Sequence, residues 1–335
     1  MTHRAEVLGP ADVPALAAGA TLLAAGAPVP GHAPVLAALA AHGPVRLAPL
    51  AGLPGEAPVV AVTVLGGQAW PDDAAWRAAV RVVEERAGRG AAAVAPLAAR
   101  DVLAAAHAAA ALGVPCADGS ADGRGGRLDL TALALDGHAA HPVVASRGGV
   151  AVVAVRADNG AAHRIATTVA ADMGGAAVAA YPARAGDFTG GAVRECLLTG
   201  RGLLRGALPG TPLFTGTVVD VAGGDRGTAT VAGGDRLLRM DYDGTYLVAT
   251  EDGVVRAATP DLLCVVTADR AEPVPAAGLA LGGRVHVLVV PSAPRWLLHD
   301  GLSAAGPRRF GYDVDHVRTT GTSGTTHGVM LETGT

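Results

Sequence analysis

A short polar loop combines carboxylates, a hydroxyl and a guanidinium at a spacing that suits ligand chemistry. Directly after the apolar run Gly113–Cys116, the loop contains Asp118, Ser120, Asp122 and Arg124. Loops at the carboxyl ends of strands are where α/β sheets bind ligands. We therefore interpret Asp118 and Arg124 as candidate catalytic residues and Ser120 as a candidate substrate contact. The alternative is a solvated turn in which an aspartate caps a helix.

Two histidines lie three positions apart in the segment that follows this loop. His138 and His141 come shortly after Asp136 and just before Pro142. A histidine pair beside a carboxylate can bind zinc or transfer protons, so His138 is a candidate catalytic residue and both histidines are candidate metal ligands. Two surface histidines in a loop are the alternative.

The cysteines favour packing over a disulfide framework. Cys116, Cys196 and Cys264 are odd in number, far apart, and form no Cys-x-x-Cys pair. Cys116 precedes the candidate loop, where it could act as a nucleophile with His138. A buried core thiol is the simpler expectation.

The basic residues exclude several cofactor chemistries. All 26 are arginine, since the chain has no lysine, and this rules out a lysine Schiff base, a PLP-linked lysine and a P-loop nucleotide site. The formal net charge of -4, without any basic block, argues against a nucleic-acid partner. We expect a small-molecule substrate, with a homo-oligomer as a further candidate assembly.

The N-terminal region is apolar without being a membrane segment. No charge appears from Val13 until Arg46, but prolines such as Pro14, Pro28, Pro30 and Pro44 interrupt this stretch. It predicts two Ala-rich buried helices and no membrane partner. The first ten residues carry Glu6 and lack a signal-peptide core, which predicts a cytoplasmic protein.

Strand-like and helix-like segments alternate over residues 1–210, which predicts a layered α/β domain with a mainly parallel sheet. In one further helix, Ile165, Val169 and Met173 would form the buried apolar stripe. The predicted strands are Pro58–Leu65 and Val150–Val155, and the other predicted helices are Asp72–Ala87, Ala98–Leu112 and Asp187–Arg205.

Residues 211–318 have a different sequence pattern, in which short β-rich runs are separated by turn residues such as Asp243-Gly244. This pattern predicts a smaller all-β barrel or sandwich domain. The composition of residues 319–335, rich in Thr and Gly, predicts a disordered tail. The β-rich runs are Thr217–Val221, Thr228–Ala232, Leu237–Tyr242, Thr245–Thr250, Val254–Ala257, Leu262–Thr267 and Arg284–Val290.

Five segments carry recognisable motifs, namely Leu112–Arg124, Ala171–Pro182, Leu213–Val221, Ala258–Val266 and Gly306–Val317. These motifs resemble those of the S-methyl thiohydantoin desulfurase family of hydantoinase-like proteins. The resemblance implies an α/β domain followed by a β-rich domain. It also implies hydrolytic chemistry on hydantoin-like or thiohydantoin-like rings, with zinc or another divalent metal as cofactor in some members.

The chain departs from the family at three motifs. Ala24–Val29 replaces a Gly-Thr-Gly-Gly-Gly-Gly run, so a nest of converging backbone N–H groups is not expected, and Gly26 remains as a candidate substrate contact. Pro96–Asp101 replaces Glu-Ile-Gly-Gly-x-Asn, which leaves Asp101 as a candidate contact. Ser120 stands where the family has a second aspartate.

Polar residues near the C-terminus have two interpretations. Tyr312 and Asp313 are candidate substrate contacts that, with Asp315 and His316, would close a cleft. Alternatively, they belong to a strand that caps the β-rich domain.

Three functions are compatible with these motifs. The first is a small-molecule enzyme of hydantoinase or thiohydantoin desulfurase type. The second is a repurposed, metal-free cyclase or isomerase in the biosynthesis of a specialised metabolite, and the third is a non-catalytic protein that binds a metabolite or a partner.

Overall fold

The computed structural model describes residues 6–65, 70–121, 143–147, 150–154, 159–173, 177–317 and 329–330. The chain divides into two compact units. The first holds the described residues of 1–17, 30–123 and 128–195, and the second holds those of 18–29 and from Cys196 onward. The second unit therefore takes in a segment from near the N-terminus as well as the region predicted from residue 211.

The described α-helices are α1 (Val13–Leu23), α2 (Ala33–His42), α3 (Asp73–Ala87), α4 (Val102–Leu112), α5 (Asn159–Asp172), α6 (Ala192–Leu203) and α7 (His299–Ala305). The described strands of the first unit are β1 (Glu6–Leu8), β2 (Val45–Pro49), β3 (Pro58–Leu65), β4 (Ala93–Pro96), β5 (Cys116–Ser120), β6 (Val143–Arg147), β7 (Val150–Ala154), β8 (Ala177–Arg184) and β9 (Thr189–Gly190). Those of the second unit are β10 (Ala207–Leu208), β11 (Phe214–Gly223), β12 (Arg226–Gly233), β13 (Arg236–Asp243), β14 (Tyr246–Glu251), β15 (Val254–Ala258), β16 (Leu262–Thr267), β17 (Arg284–Val290) and β18 (Val329–Met330).

The sheet of the first unit has the strand order β1-β2-β5-β4-β3-β8-β6-β7, and β9 pairs with β5. Strands β2, β5, β4 and β3 form a parallel centre. The outer strands are joined by antiparallel pairs. The predicted layered α/β architecture is confirmed, and the sheet is mixed where the alternation of segments predicted a mainly parallel one.

Local signals in the sequence explain α3, which packs on β6 and β8, and α4, which packs on β3 and β4 of the parallel centre. The carboxylate of Asp72 accepts a hydrogen bond from the Ala75 amide at 2.9 Å, which starts α3. Gly88 ends that helix with a φ of 66°, and Gly113 ends α4 in the same way with a φ of 69°. The predicted helices there are confirmed, except that a short 3-10 turn at Ala99–Asp101 precedes α4.

The predicted apolar stripe of α5 is wrong. Ile165 is 42% exposed, whereas Ala162, Ala166 and Ala170 are buried to 2% or less. The buried face is therefore built from alanines, which let a helix approach its neighbours more closely than larger side chains would. A pattern based on the largest apolar residues selects the wrong face in such an Ala-rich helix.

The second unit contains an antiparallel sheet of order β15-β14-β13-β12-β11-β17-β16. All seven predicted β-rich runs are strands, so the predicted all-β domain is confirmed. Side chains from both ends of the sheet share one core, including Ala249 of β14 and Leu263 of β16. The sheet therefore curls around its core as a half-barrel. In the predicted tail, Val329–Met330 pairs with Ala207–Leu208.

Across the part of the chain that the structure describes, every helix is too short or too polar to span a bilayer. The apolar N-terminal region forms α1 and α2, which confirms the predicted pair of helices.

Candidate functional site

The parallel strands of the first unit end at one common edge, which we call the carboxyl edge. Pro49 of β2 is in register with Asp118 of β5, and Val62 of β3 with Pro96 of β4. Since parallel strands point the same way, the polar residues at or just beyond these strand ends lie along the same edge of the sheet. They are Thr63, Asp101, Asp118 and Ser120, and all four are buried.

Asp118 is held by the start of α6. Its Oδ1 accepts a hydrogen bond from the Arg194 backbone amide at 3.0 Å, and its Oδ2 lies 3.0 Å from the Arg194 guanidinium. The backbone carbonyl of Asp118 also accepts a bond from the Gly191 amide at 2.8 Å. A carboxylate at this position satisfies an amide of the first helical turn and complements the helix dipole. The geometry makes Asp118 a positioning residue that fixes α6 to the end of β5.

Arg194 links this aspartate to the N-terminal strand. Its Nε donates a hydrogen bond to Glu6 at 2.9 Å, and its side chain is 40% exposed while that of Asp118 is 2% exposed. The hydrogen bond to Glu6, together with the charge of Asp118, raises the pKa of Arg194 against the opposing effect of burial. The guanidinium therefore stays charged and partly exposed, with its nitrogens facing the carboxylates of Glu6 and Asp118.

Asp101 binds residues near the ends of the neighbouring strands β3 and β4. Its Oδ1 accepts a hydrogen bond from the Thr63 hydroxyl at 2.6 Å, and its Oδ2 accepts one from the Ala98 amide at 3.0 Å. The side chain is 5% exposed. These bonds tie the end of β3 to the turn that follows β4, so Asp101 supports the carboxyl edge from within.

Ser120 and Cys116 lie on β5 on either side of Asp118. Ser120 is fully buried and pairs with Thr189 of β9. Burial, with a smaller contribution from the charge of Asp118, raises the pKa of the Cys116 thiol to about 12. A thiol with such a pKa is almost entirely protonated near neutral pH, as expected for a packing residue and not for a nucleophile.

Three predicted site residues lie outside the described residues, namely Arg124, His138 and His141. The described part of the chain contains no group of three His, Cys, Asp or Glu side chains that could hold a metal ion. The described residues alone therefore do not fit the divalent metal that the resemblance implies, and zinc ligation by His138 and His141 stays a prediction.

The segment that replaces the family's glycine run belongs to the second unit. The amides of Ala24, Ala25 and Ala27 bond to carbonyls at most four residues back in the chain, at 2.8–3.0 Å. The carbonyl of Gly26 accepts a bond from the Ala276 amide, and a Cβ added at Gly26 would lie 2.6 Å from the Tyr246 ring. Gly26 thus permits a close approach of backbone and ring, and three amides of this segment are already satisfied within the chain.

The C-terminal candidates also lie in the second unit. Tyr312 packs on a small cluster with Leu247 and Val248, and burial raises its pKa, with a smaller contribution from Asp241. The Asp313 side chain is 94% exposed and pairs with Arg308 at 2.7 Å.

A buried contact joins two segments that carry the family resemblance. His316 Nε2 lies 3.1 Å from Asp261 Oδ2, and both side chains are almost fully buried. The other oxygen of Asp261 accepts a hydrogen bond from the Ser292 amide at 2.9 Å. His316 therefore lies against the start of β16, as in the interpretation of this segment as a cap, but residues 312–317 do not form the capping strand that was the alternative.

Sequence reasoning missed a polar cluster that joins three helices of the first unit. His107 Nε2 lies 2.8 Å from Asp73 Oδ1, and His42 binds the other carboxylate oxygen. The Trp70 indole N–H points at His107 Nδ1. Because that nitrogen accepts, we assign the Nε2–H tautomer of a neutral imidazole. No local spacing signals the cluster, since its members lie up to 65 positions apart.

This cluster predicts a loss of stability on mild acidification. Burial lowers the pKa of His107 from 6.5 despite its hydrogen bond with Asp73. His107 therefore binds a proton more readily in the unfolded chain than in the folded one. Its contribution to the free energy of unfolding is fully present above about pH 6.5 and falls as the pH drops below that value. We expect urea unfolding, followed by circular dichroism between about pH 5 and pH 8, to show this decline.

A His107→Gln variant should be less stable at neutral pH and should lose much of this decline. The exposed His299 provides the matched control, because His299→Gln should retain the wild-type slope. An unchanged slope in His107→Gln would show that other groups cause the decline.

The pKa of Asp73 is lowered as well. Burial alone would raise it, but the hydrogen bonds from His107 and His42 outweigh that effect. The stability that Asp73 contributes is therefore lost only below about pH 3.8.

Comparison with known proteins bears on both units. Residues 200–319 match the family model described as the S-Me-THD-like C-terminal domain. The fold is similar to that of a protein from Chromobacterium violaceum solved by the Northeast Structural Genomics Consortium, with a TM-score of 0.75 and 19% sequence identity over 93% of this chain and 99% of that chain. At this identity the likeness shows the fold alone. No curated protein is significantly similar to the chain in sequence. Residues 200–319 are therefore similar to an S-Me-THD-like C-terminal domain, in agreement with the resemblance drawn from the motifs Leu213–Val221, Ala258–Val266 and Gly306–Val317.

Proposed function

We propose that the protein is a small-molecule enzyme that acts on a cyclic amide-like or thiohydantoin-like substrate at the carboxyl edge of the first unit. The convergence of Thr63, Asp101, Asp118 and Ser120 on that edge carries this proposal. Open α/β sheets bind their ligands at the carboxyl ends of parallel strands. The S-Me-THD-like C-terminal domain supports the substrate class.

The described residues have distinct roles in this proposal. Asp118 and Asp101 position the surrounding backbone, because their oxygens are engaged by Arg194 in one case and by Thr63 and Ala98 in the other. Arg194 is the substrate contact, since its guanidinium is charged and partly exposed. An arginine can stabilise the negative charge that develops on oxygen when a ring carbonyl is attacked, or on the ring nitrogen when the S-methyl-bearing carbon is attacked. Arg124 and His138 remain proposed contributors from the segment after β5.

The metal belongs to the same proposal. If His138 and His141 bind zinc, the ion would supply an activated water for ring opening. Elemental analysis of the purified protein after growth with added zinc tests this directly. We expect bound zinc in the wild type and its loss in a His138→Ala, His141→Ala variant. Wild-type protein that contains no zinc after growth with added zinc would contradict the predicted ligation.

Turnover of hydantoins and S-methyl thiohydantoins tests the reaction. We expect ring opening or release of methanethiol, detected by mass spectrometry. Arg194→Gln should lower kcat/KM by about 10- to 100-fold, the loss typical of a removed transition-state contact. Arg205→Gln, at an exposed arginine just after α6, is the control and should leave kcat/KM unchanged. Activity that Arg194→Gln does not reduce would remove Arg194 from the site.

A metal-free cyclisation or isomerisation is the second candidate, and the geometry of Ala24–Val29 favours it. The family's glycine run is replaced by a segment in which three amides are satisfied internally and Pro28 has no N–H. Such a segment offers few backbone donors to an anionic group. Product formation that persists after chelation and in the His138→Ala, His141→Ala variant would favour this candidate over metal-assisted hydrolysis.

A further inference from the structure

The second unit contains a cavity of about 700 Å³ that the proposed reaction does not use. It lies beside β11, β16 and β17, and the segment between β16 and β17 contributes to its wall. Every lining residue belongs to the second unit. The volume falls within the range of about 300–1,000 Å³ that is typical of small-molecule sites.

Most of the wall is apolar. Val218 and Val285 line the cavity from the core of the curled sheet, whereas Val274 and Leu279 line it from the segment between β16 and β17. An apolar wall favours burial of a hydrocarbon body, because apolar surface is then removed from water. The occupant should therefore carry a substantial apolar portion.

One cation is available at this wall. Arg284 of β17 lines the cavity, is exposed, and has no ion-pair partner within the described part of the chain. The acidic lining residue Asp269 lies 3.7 Å from Arg270, which also lies 3.7 Å from Glu272. An uncompensated guanidinium beside an apolar surface suits a carboxylate, to which arginine can donate two parallel hydrogen bonds.

A neutral polar pair completes the lining. His286 Nδ1 lies 2.8 Å from the Thr215 hydroxyl. Burial lowers the pKa of His286, helped by the nearby charge of Arg284 and opposed by a backbone hydrogen bond at Ala268. Near neutral pH this histidine therefore adds no second positive charge.

From the volume, the apolar wall and the free guanidinium, we infer that this cavity binds a small organic carboxylate with an apolar body, held at its acid group by Arg284. The site is a second ligand site, distinct from the carboxyl edge, and its existence does not depend on the proposed reaction. Octanoate is the simplest probe with these two features, and octanamide is its uncharged counterpart.

Isothermal titration calorimetry of the full chain with octanoate and octanamide tests the inference. We expect saturable binding of octanoate with a 1:1 stoichiometry and weaker binding of octanamide. Arg284→Gln should weaken octanoate about tenfold or more, as expected for loss of a charge-assisted hydrogen bond, while octanamide changes little. Arg309→Gln, at an exposed arginine that does not line the cavity, should leave both isotherms unchanged.

Two tryptophan substitutions on the same segment locate the site. Ala280 lines the cavity, whereas Ala277, three residues away, does not, and both are exposed. Ala280→Trp should abolish octanoate binding and Ala277→Trp should not, with unchanged circular dichroism in both. Equal behaviour of these variants, or equal affinity of wild type for octanoate and octanamide, would overturn the inference.

Discussion

Replacing Asp118 with alanine is expected to lower the free energy of unfolding by about 3 kcal/mol, as when one partner of a buried ion pair is removed. The change deletes the acceptor of the Arg194 amide and the counter-charge of its guanidinium in one step. The value is placed at the lower end of the usual range because the Arg194 side chain is 40% exposed and can turn to water. Urea unfolding followed by circular dichroism measures the loss.

Glu6 offers the matched control, since it binds the same guanidinium from a more exposed position. Glu6→Gln should cost less than about 1 kcal/mol, as surface ion pairs do. Combining Asp118→Ala with Arg194→Met should cost less than the sum of the single changes by about 0.5–3 kcal/mol, which is the range for residues in direct contact. A single Asp118→Ala variant as stable as the wild type would refute the role of Asp118 in fixing α6.

Replacing Gly19 with alanine is expected to destabilise the protein by about 3 kcal/mol or more, although alanine is the better helix former. A Cβ at this position of α1 would overlap the backbone carbonyl of Cys196, which cannot move without displacing α6. Helix propensity would favour the change by only about 1 kcal/mol. Packing therefore decides the sign, and thermal unfolding should show a lower midpoint.

Gly31 is the matched control because no atom lies within 4 Å of a Cβ added there and its φ is not in the left-handed region. Gly31→Ala should be neutral or stabilising by up to about 1 kcal/mol, through the unfolded chain. If Gly19→Ala were as stable as Gly31→Ala, the close packing of α1 against α6 at Gly19 would be contradicted.

Local signals were sufficient to predict the elements that carry their own start and stop. The predicted strand Pro58–Leu65 matches the structure, and the predicted helix Asp72–Ala87 begins one residue later with Asp72 as its cap. An apolar run, an aspartate cap and a terminal glycine act here within a few residues. The hairpins of the second unit could be predicted for the same reason, since turn residues such as Asp243-Gly244 separate consecutive β-rich runs.

Long-range pairing could not be predicted in the same way. The antiparallel partner of β3 is β8, more than 100 residues later, and neither strand signals the other. Likewise, Asp118 was identified from its loop, but its partner Arg194 lies 76 positions away and was missed. The only local hint was the pair Gly190-Gly191 before α6, which marks a helix start at which a carboxylate is favourable.

The departure at Ala24–Val29 was found by comparing this segment with the glycine run of the family that the chain resembles, whereas its structural consequence could not be predicted from the sequence. Cβ atoms and a proline predict that a glycine nest will not form there. That the segment instead bonds to Tyr246 and Ala276 of the second unit depends on contacts more than 200 residues away.

A crystal structure of the full chain with a bound 5-substituted hydantoin, or with its ring-opened product, would test the proposed reaction site most directly. We predict that the ligand lies at the carboxyl ends of β4 and β5, with an oxygen within hydrogen-bond distance of the Arg194 guanidinium. A ligand bound only by residues of the second unit, with the surroundings of Asp118 and Arg194 left unoccupied, would contradict the proposed reaction site.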